Sequence, residues 1–189
     1  MAVSYGWIGH WSPGVGDPTP VGWLTVGFYL LAASMCFRVV RPKHVLRDAL
    51  KENEKWLWWM LATGSLLLAI NKQLDLQSAL TEIGRMLAVY QGWYETRREM
   101  QGWFIAGVGL LALFIVFFAT FFAKKAPVST WLALTGCMFL LVFIFLRAAS
   151  FHHVDVLISR APGEMWINWI FEFGGSLLIG LGARLRGRT

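Results

Sequence analysis

Five apolar runs, each about the 20 residues that a helix needs to cross a bilayer core, constrain this chain more than any other feature. They lie at 21–40, 56–76, 102–123, 128–150 and 166–185. The expected fold is an all-α polytopic transmembrane helix bundle of about five spans. Residues 1–20 are expected to form an extracytoplasmic tail, and residues 21–189 one helical membrane domain. A composition that is 57% hydrophobic and only 15% charged excludes an ordinary soluble domain and a disordered chain. The 189 residues leave no room for a second sizeable soluble domain. The first twenty residues do not read as a signal peptide, because they lack a basic start and an early apolar core.

Orientation follows from the cations. Arg38, Arg41, Lys43, Arg47, Lys51 and Lys55 flank the loop between the first two spans. Lys124 and Lys125 separate the third from the fourth, and Arg184, Arg186 and Arg188 follow the fifth. These eleven outnumber the six on the other side, namely Lys72, Arg85, Arg97, Arg98, Arg147 and Arg160. The positive-inside rule therefore predicts an outer N-terminus and a cytoplasmic C-terminus, in a bacterial-type inner (plasma) membrane. The net charge of +6 is explained by topology signalling and contact with anionic lipid. No nucleic-acid partner is expected, since no separate basic domain exists to bind a duplex.

Between the second and third spans the chain is too polar to face lipid throughout. Leu76, Leu80, Ile83, Leu87 and Tyr90 recur at spacings of three and four, which predicts an amphipathic helix over about 77–91. It should lie over the outer surface or project from it, with Gly92 as its break. Trp7, Trp11, Trp23, Trp93, Trp103, Trp166 and Trp169 mark the outer boundary, and Trp56, Trp58, Trp59 and Trp131 the inner one, as an aromatic belt. In span five, Ser176 and Gly180 form a small-xxx-small pair suited to close packing within the bundle or against another subunit. Cys36 and Cys137 are read as packing residues at different depths rather than a disulfide.

Ionisable groups near hydrocarbon are costly, so they are usually paired, inward-facing and functional. Here they gather at the outer ends of the spans. After span two come Asn71, Lys72, Gln73 and Asp75, where Lys72 and Asp75 are spaced to pair and Asn71 and Asp75 share a face. After span four come Arg147, Ser150, His152, His153 and Asp155. His152 and Asp155 are three apart and share a helical face, whereas His153 points about 100° away. Entering span five are Glu164, Asn168 and Glu172 at spacings of four. Glu172 is the deepest charge and requires a cation, Arg147 or Lys72.

Three roles compete for the histidines. A divalent metal such as zinc, iron or manganese would take His152 or His153, Asp155 and a remote ligand such as His10 or Glu164. A general acid or base would be a histidine oriented by Asp155, making His152, His153 and Asp155 the catalytic candidates. The plain alternative is a helix end capped by hydrogen-bonded imidazoles. No HExxH signature or phosphate loop is present. The tail from His10 to Thr19 is rich in turn formers and is placed to fold over the polar groups as a lid, bringing His10 and Asp17.

The leading functional expectation is an outward-facing polar pocket that binds a lipid headgroup or a metal, with hydrolysis or group transfer as its possible chemistry. Asn71, Lys72, Asp75, Arg147, Asn168 and Glu172 are the ligand-binding candidates, with Lys72 and Arg147 holding an anionic group. Membrane lipids are its expected partners. The alternatives are an accessory or assembly subunit that docks other membrane subunits or itself through span five, and a small transporter or proton relay.

Overall fold

The computed structural model describes residues 6–41, 52–92, 97–124, 126–149 and 164–188. Six helices and no strands occur among them: α1 (Pro20–Val40), α2 (Glu52–Leu74), α3 (Leu76–Tyr90), α4 (Arg97–Phe122), α5 (Val128–Ala149) and α6 (Glu164–Arg186). Three segments are long and apolar enough to cross a membrane: Pro20–Val40, Gly102–Phe121 and Val128–Arg147. α2 and α6 are more polar. The first opens on Glu52-Asn-Glu-Lys55 and closes on Asn71-Lys72-Gln73, and the second carries Glu164, Asn168 and Glu172 in its first half.

Local chemistry sets the helix ends. Thr19 caps α1 by accepting the Gly22 N–H at 3.1 Å, and Pro20 follows at the first helical position, where its missing N–H costs nothing. Between α2 and α3 a single residue, Asp75, adopts the left-handed conformation (φ 46°, ψ 49°). Asp is among the few non-glycine residues that tolerate it. α2 therefore does not run on into α3; the chain stops, turns and restarts. α3 ends at Gly92, whose φ of +74° is the glycine stop that the sequence suggests.

α6 lies between α5 and α1, and α1 also packs on α2. The core is made of small side chains with a few large fillers. Ala32, Ala33, Ala62, Ala133 and Ala183 are buried beside Trp58, Tyr29, Cys36 and Ile179. α4 leans on α5 and touches α2 at the edge, and only 6% of Gly102–Phe121 is buried. Its outward row of Leu110, Leu113, Phe114, Phe117 and Phe121 is exposed, as a lipid-facing helix requires.

The tightest packing joins α5 to α6. A Cβ placed on Gly136 would lie 2.5 Å from the Gly175 carbonyl oxygen and 2.8 Å from the Ile179 nitrogen. One on Gly182 would lie 2.6 Å from the Ser129 carbonyl oxygen. The small residues of α6 do allow close approach, and the face turned to α5 is Gly175 and Gly182 rather than Ser176 and Gly180. Gly180 instead faces Met35 and Ala32 of α1, and the Ser176 hydroxyl donates back to the Glu172 carbonyl at 2.9 Å.

Trp58 corrects a second expectation. It is fully buried in the core rather than anchored in a boundary belt, while Trp56 beside it is 75% exposed.

Replacing Gly136 with Val should separate α5 from α6 and cost on the order of 3 kcal/mol, because overpacking here meets backbone rather than a movable side chain. Gly64 faces open space, so Gly64→Ala should leave stability unchanged or slightly raised. Thermal unfolding of both variants in detergent checks this; equal melting points would contradict the packing.

Candidate functional site

Two polar clusters sit at opposite ends of the bundle. One, on the side that the cation count predicts to be outer, joins four parts of the chain. Glu172 of α6 is only 4% exposed. The Tyr29 hydroxyl of α1 donates to its Oε1 at 3.0 Å, and Lys72 Nζ of α2 stands 3.5 Å from the same oxygen. The same ammonium reaches Asp17 Oδ2 of the N-terminal segment at 3.4 Å. One lysine therefore lies between two carboxylates. Of the two cations that the sequence offers Glu172, Lys72 makes the contact. Arg147 stands exposed on the last turn of α5 and donates from Nε to Gln77 Oε1 of α3 at 2.8 Å.

The N-terminal segment is folded over this cluster. Ile8 and Trp11 exchange backbone hydrogen bonds at 3.0 and 2.9 Å around a turn in which Gly9 has φ +57°. The His10 N–H donates to Glu82 Oε1 of α3 at 3.0 Å. The Gly16 N–H donates to the Gln73 carbonyl at 2.5 Å. Gly16 must be glycine, since a Cβ there would lie 2.8 Å from the Asp75 Cβ.

Asp17 accepts from the Thr19 hydroxyl at 2.6 Å and the Thr19 N–H at 3.2 Å, and Thr19 in turn caps α1. These Thr19 bonds, with the Lys72 ammonium beside them, hold the Asp17 carboxyl below its ordinary range. Glu82 is likewise lowered, by Arg85 and the His10 N–H.

The other sequence candidates fall as follows. Asp75 occupies the left-handed residue, and its side chain makes no capping bond. Because α2 ends there, the three-residue spacing from Lys72 no longer describes one helical face, and Lys72 turns to Asp17 and Glu172. Asn71 is half-buried on the last turn of α2. Asn168 lies on α6, with its side chain outside the description. His152, His153 and Asp155 lie outside the described residues. His10 is exposed and contributes its backbone to Glu82. Among the described residues no three His, Cys, Asp or Glu gather in a way that would hold a metal ion. Also among them, neither the Nε2 nor the Oε1 of Gln73 finds a hydrogen-bond partner, although both atoms are buried.

The inner cluster was not foreseen. Glu54 of α2 is 8% exposed. Its Oε1 accepts from Arg186 Nε of α6 at 2.7 Å, Thr130 Oγ1 of α5 at 2.8 Å and Trp58 Nε1 at 3.3 Å. Arg186 Nη2 reaches Oε2 at 3.1 Å, which makes the pair bidentate. The one available signal was the four-residue spacing of Glu54 and Trp58, which puts them on one face.

No family model, curated protein or solved structure matches this chain, so its site is read from its own geometry.

Lys72→Met would strand Glu172 in the core at a cost of about 3 kcal/mol, whereas the double change Lys72→Met, Glu172→Gln should recover most of that loss. Unfolding midpoints of the two variants test the pairing; equal losses in the single and double variants would exclude it.

Asp17 gives a pH dependence of definite sign. Its pKa is depressed in the folded chain, so its contribution is complete above the ordinary value of 3.8 and lost as pH falls through the lowered folded value. Protease sensitivity of the N-terminal segment should therefore stay flat from neutral pH down to about 4 and rise only below it. A rise near pH 6 would assign control to another group.

Proposed function

We propose that this chain is an integral membrane protein of five spans in a bacterial-type inner membrane, with its N-terminus outside and its C-terminus cytoplasmic. In this reading α1, α2, α4, α5 and α6 are the spans, and the outer polar cluster is a ligand site. The observation that carries it is Glu172, buried at 4% exposure, hydrogen-bonded to Tyr29 and sharing Lys72 with an Asp17 that arrives from a folded-over tail. Buried ionisable groups at this depth are a functional signature.

The charge balance refines the ligand. Among the described residues of the cluster one lysine stands against two carboxylates, so Lys72 is already paired. A cationic group, the ammonium of a lipid headgroup, suits that excess of carboxylate. Arg147, exposed beside Gln77, is the residue left to meet a phosphate. His152, His153, Asp155 and Asn168 belong to the same outer side in the five-span topology. They remain the proposed source of any acid–base or metal chemistry, so hydrolysis or transfer is proposed only through them.

The accessory-subunit reading is the second choice. The face of α4 that carries Phe114, Phe117 and Phe121 is almost wholly uncovered by the chain, and lipid or a partner subunit would cover it.

Native mass spectrometry with elemental analysis on gently solubilised protein distinguishes the two readings. A bound lipid or stoichiometric metal is expected in the wild type and should be lost in Glu172→Gln, with His152→Ala and Asp155→Ala assigning the outer loop. A bare chain carrying stable partner subunits, unchanged by these variants, would move the assignment to the accessory role.

A further inference from the structure

α3 is strongly two-faced. At 100° per residue, Leu76, Leu80, Ile83, Leu87 and Tyr90 fall on one narrow stripe, and all five are exposed. Gln77, Ser78, Thr81, Glu82 and Arg85 occupy the opposite side.

The polar side is where the protein's own contacts arrive. Arg147 at the end of α5 donates to Gln77, and the His10 N–H of the N-terminal segment donates to Glu82, which also pairs with Arg85 at 2.6 Å. Those contacts turn the apolar stripe away from Arg147 and the N-terminal segment.

The stripe also continues a surface below it. On α2, Leu67, Ile70 and Leu74 are exposed on one side at spacings of three and four and lead to Leu76 across the single hinge residue Asp75. A left-handed residue ends the axis of α2, so α3 leaves it at the level where α2 stops.

We propose that α3 is an interfacial helix, its apolar stripe seated in the outer leaflet with the phospholipid surface as its partner. This rests on the reading of α2 as a span. A polar face bonded to the protein, an apolar face continuous with a lipid-facing span and a start at the membrane boundary are what an in-plane anchor requires. Tyr90 at the end of the stripe adds the ring that favours the headgroup zone.

Depth measurements on the full chain in phosphatidylethanolamine–phosphatidylglycerol nanodiscs test the inference. A nitroxide is placed at Leu67→Cys, Leu80→Cys, Leu87→Cys or Thr81→Cys, with Cys36 and Cys137 replaced by Ala, and its collisions with oxygen and with a water-soluble nickel chelate are compared. Leu67 should report deep lipid. Leu80 and Leu87 should favour oxygen over nickel several-fold, and Thr81 should show the reverse. Nickel access at Leu80 and Leu87 equal to that at Thr81, with Leu67 still in lipid, would mean that α3 projects into water and would overturn the inference alone. Exclusion of both reagents from Leu80 and Leu87 would mean a protein partner covers the stripe, and would overturn it equally. Nickel access at Leu67 would overturn the span reading and the inference with it.

Discussion

The contact on which the rest depends is the backbone-to-backbone approach of α5 and α6. Gly136, Gly175 and Gly182 leave no space for a side chain between the two helices, so α6 has one depth and one rotation available against α5. Close van der Waals packing of backbone on backbone is what holds the two helices together. α6 then delivers a charge at each end. Glu172 and Arg186 are fourteen positions apart, roughly 21 Å along the axis. One docks on Tyr29 and Lys72 and the other on Glu54. Fixing the glycine face fixes both polar clusters at once.

The two clusters answer the same problem differently. A buried carboxylate is tolerable only when paired and hydrogen-bonded. Glu54 meets that condition fully: four bonds from three side chains and a bidentate guanidinium leave it no free function beyond joining α2, α5 and α6. Glu172 has one hydroxyl and a share of one ammonium, and that ammonium is divided with Asp17. The buried Gln73 amide finds no partner among the described residues. The inner cluster is a clasp. The outer one retains bonding capacity that no described residue uses, and that difference, more than the presence of charge, distinguishes the two clusters.

Much of this was legible in the sequence because it depends on periodicity along one helix. The helix ranges, the amphipathic stripe of α3, the Gly92 stop and the need of Glu172 for a cation all follow from spacing and depth. What was not legible depends on rotation between helices. Ser176 and Gly180 have the right spacing for close packing, but which side of α6 meets α5 is a property of the pair. Trp58 has the composition of a boundary residue, but its azimuth turns it inward to Glu54. Arg186 reads as a topology charge until α6 brings it to α2. The hinge at Asp75 hid in the same way: nothing in Asn71-Lys-Gln-Leu-Asp75 breaks a helix by composition, and the left-handed residue becomes visible only where the Gly16 backbone packs against it.

Asp17 links closure of the outer cluster to the placement of α1. Its bonds to Thr19 position the residue that caps α1, and its pair with Lys72 holds the tail across the cluster. α1 also carries Tyr29 to Glu172, so the group that closes the site is joined through one cap to the group at its floor. The closure rests on one partly exposed ion pair and two backbone hydrogen bonds, Gly16 to Gln73 and His10 to Glu82. The clasp at Glu54 has more bonds and a bidentate partner. The asymmetry between the two ends arises from the number of donors that each carboxylate meets among the described residues.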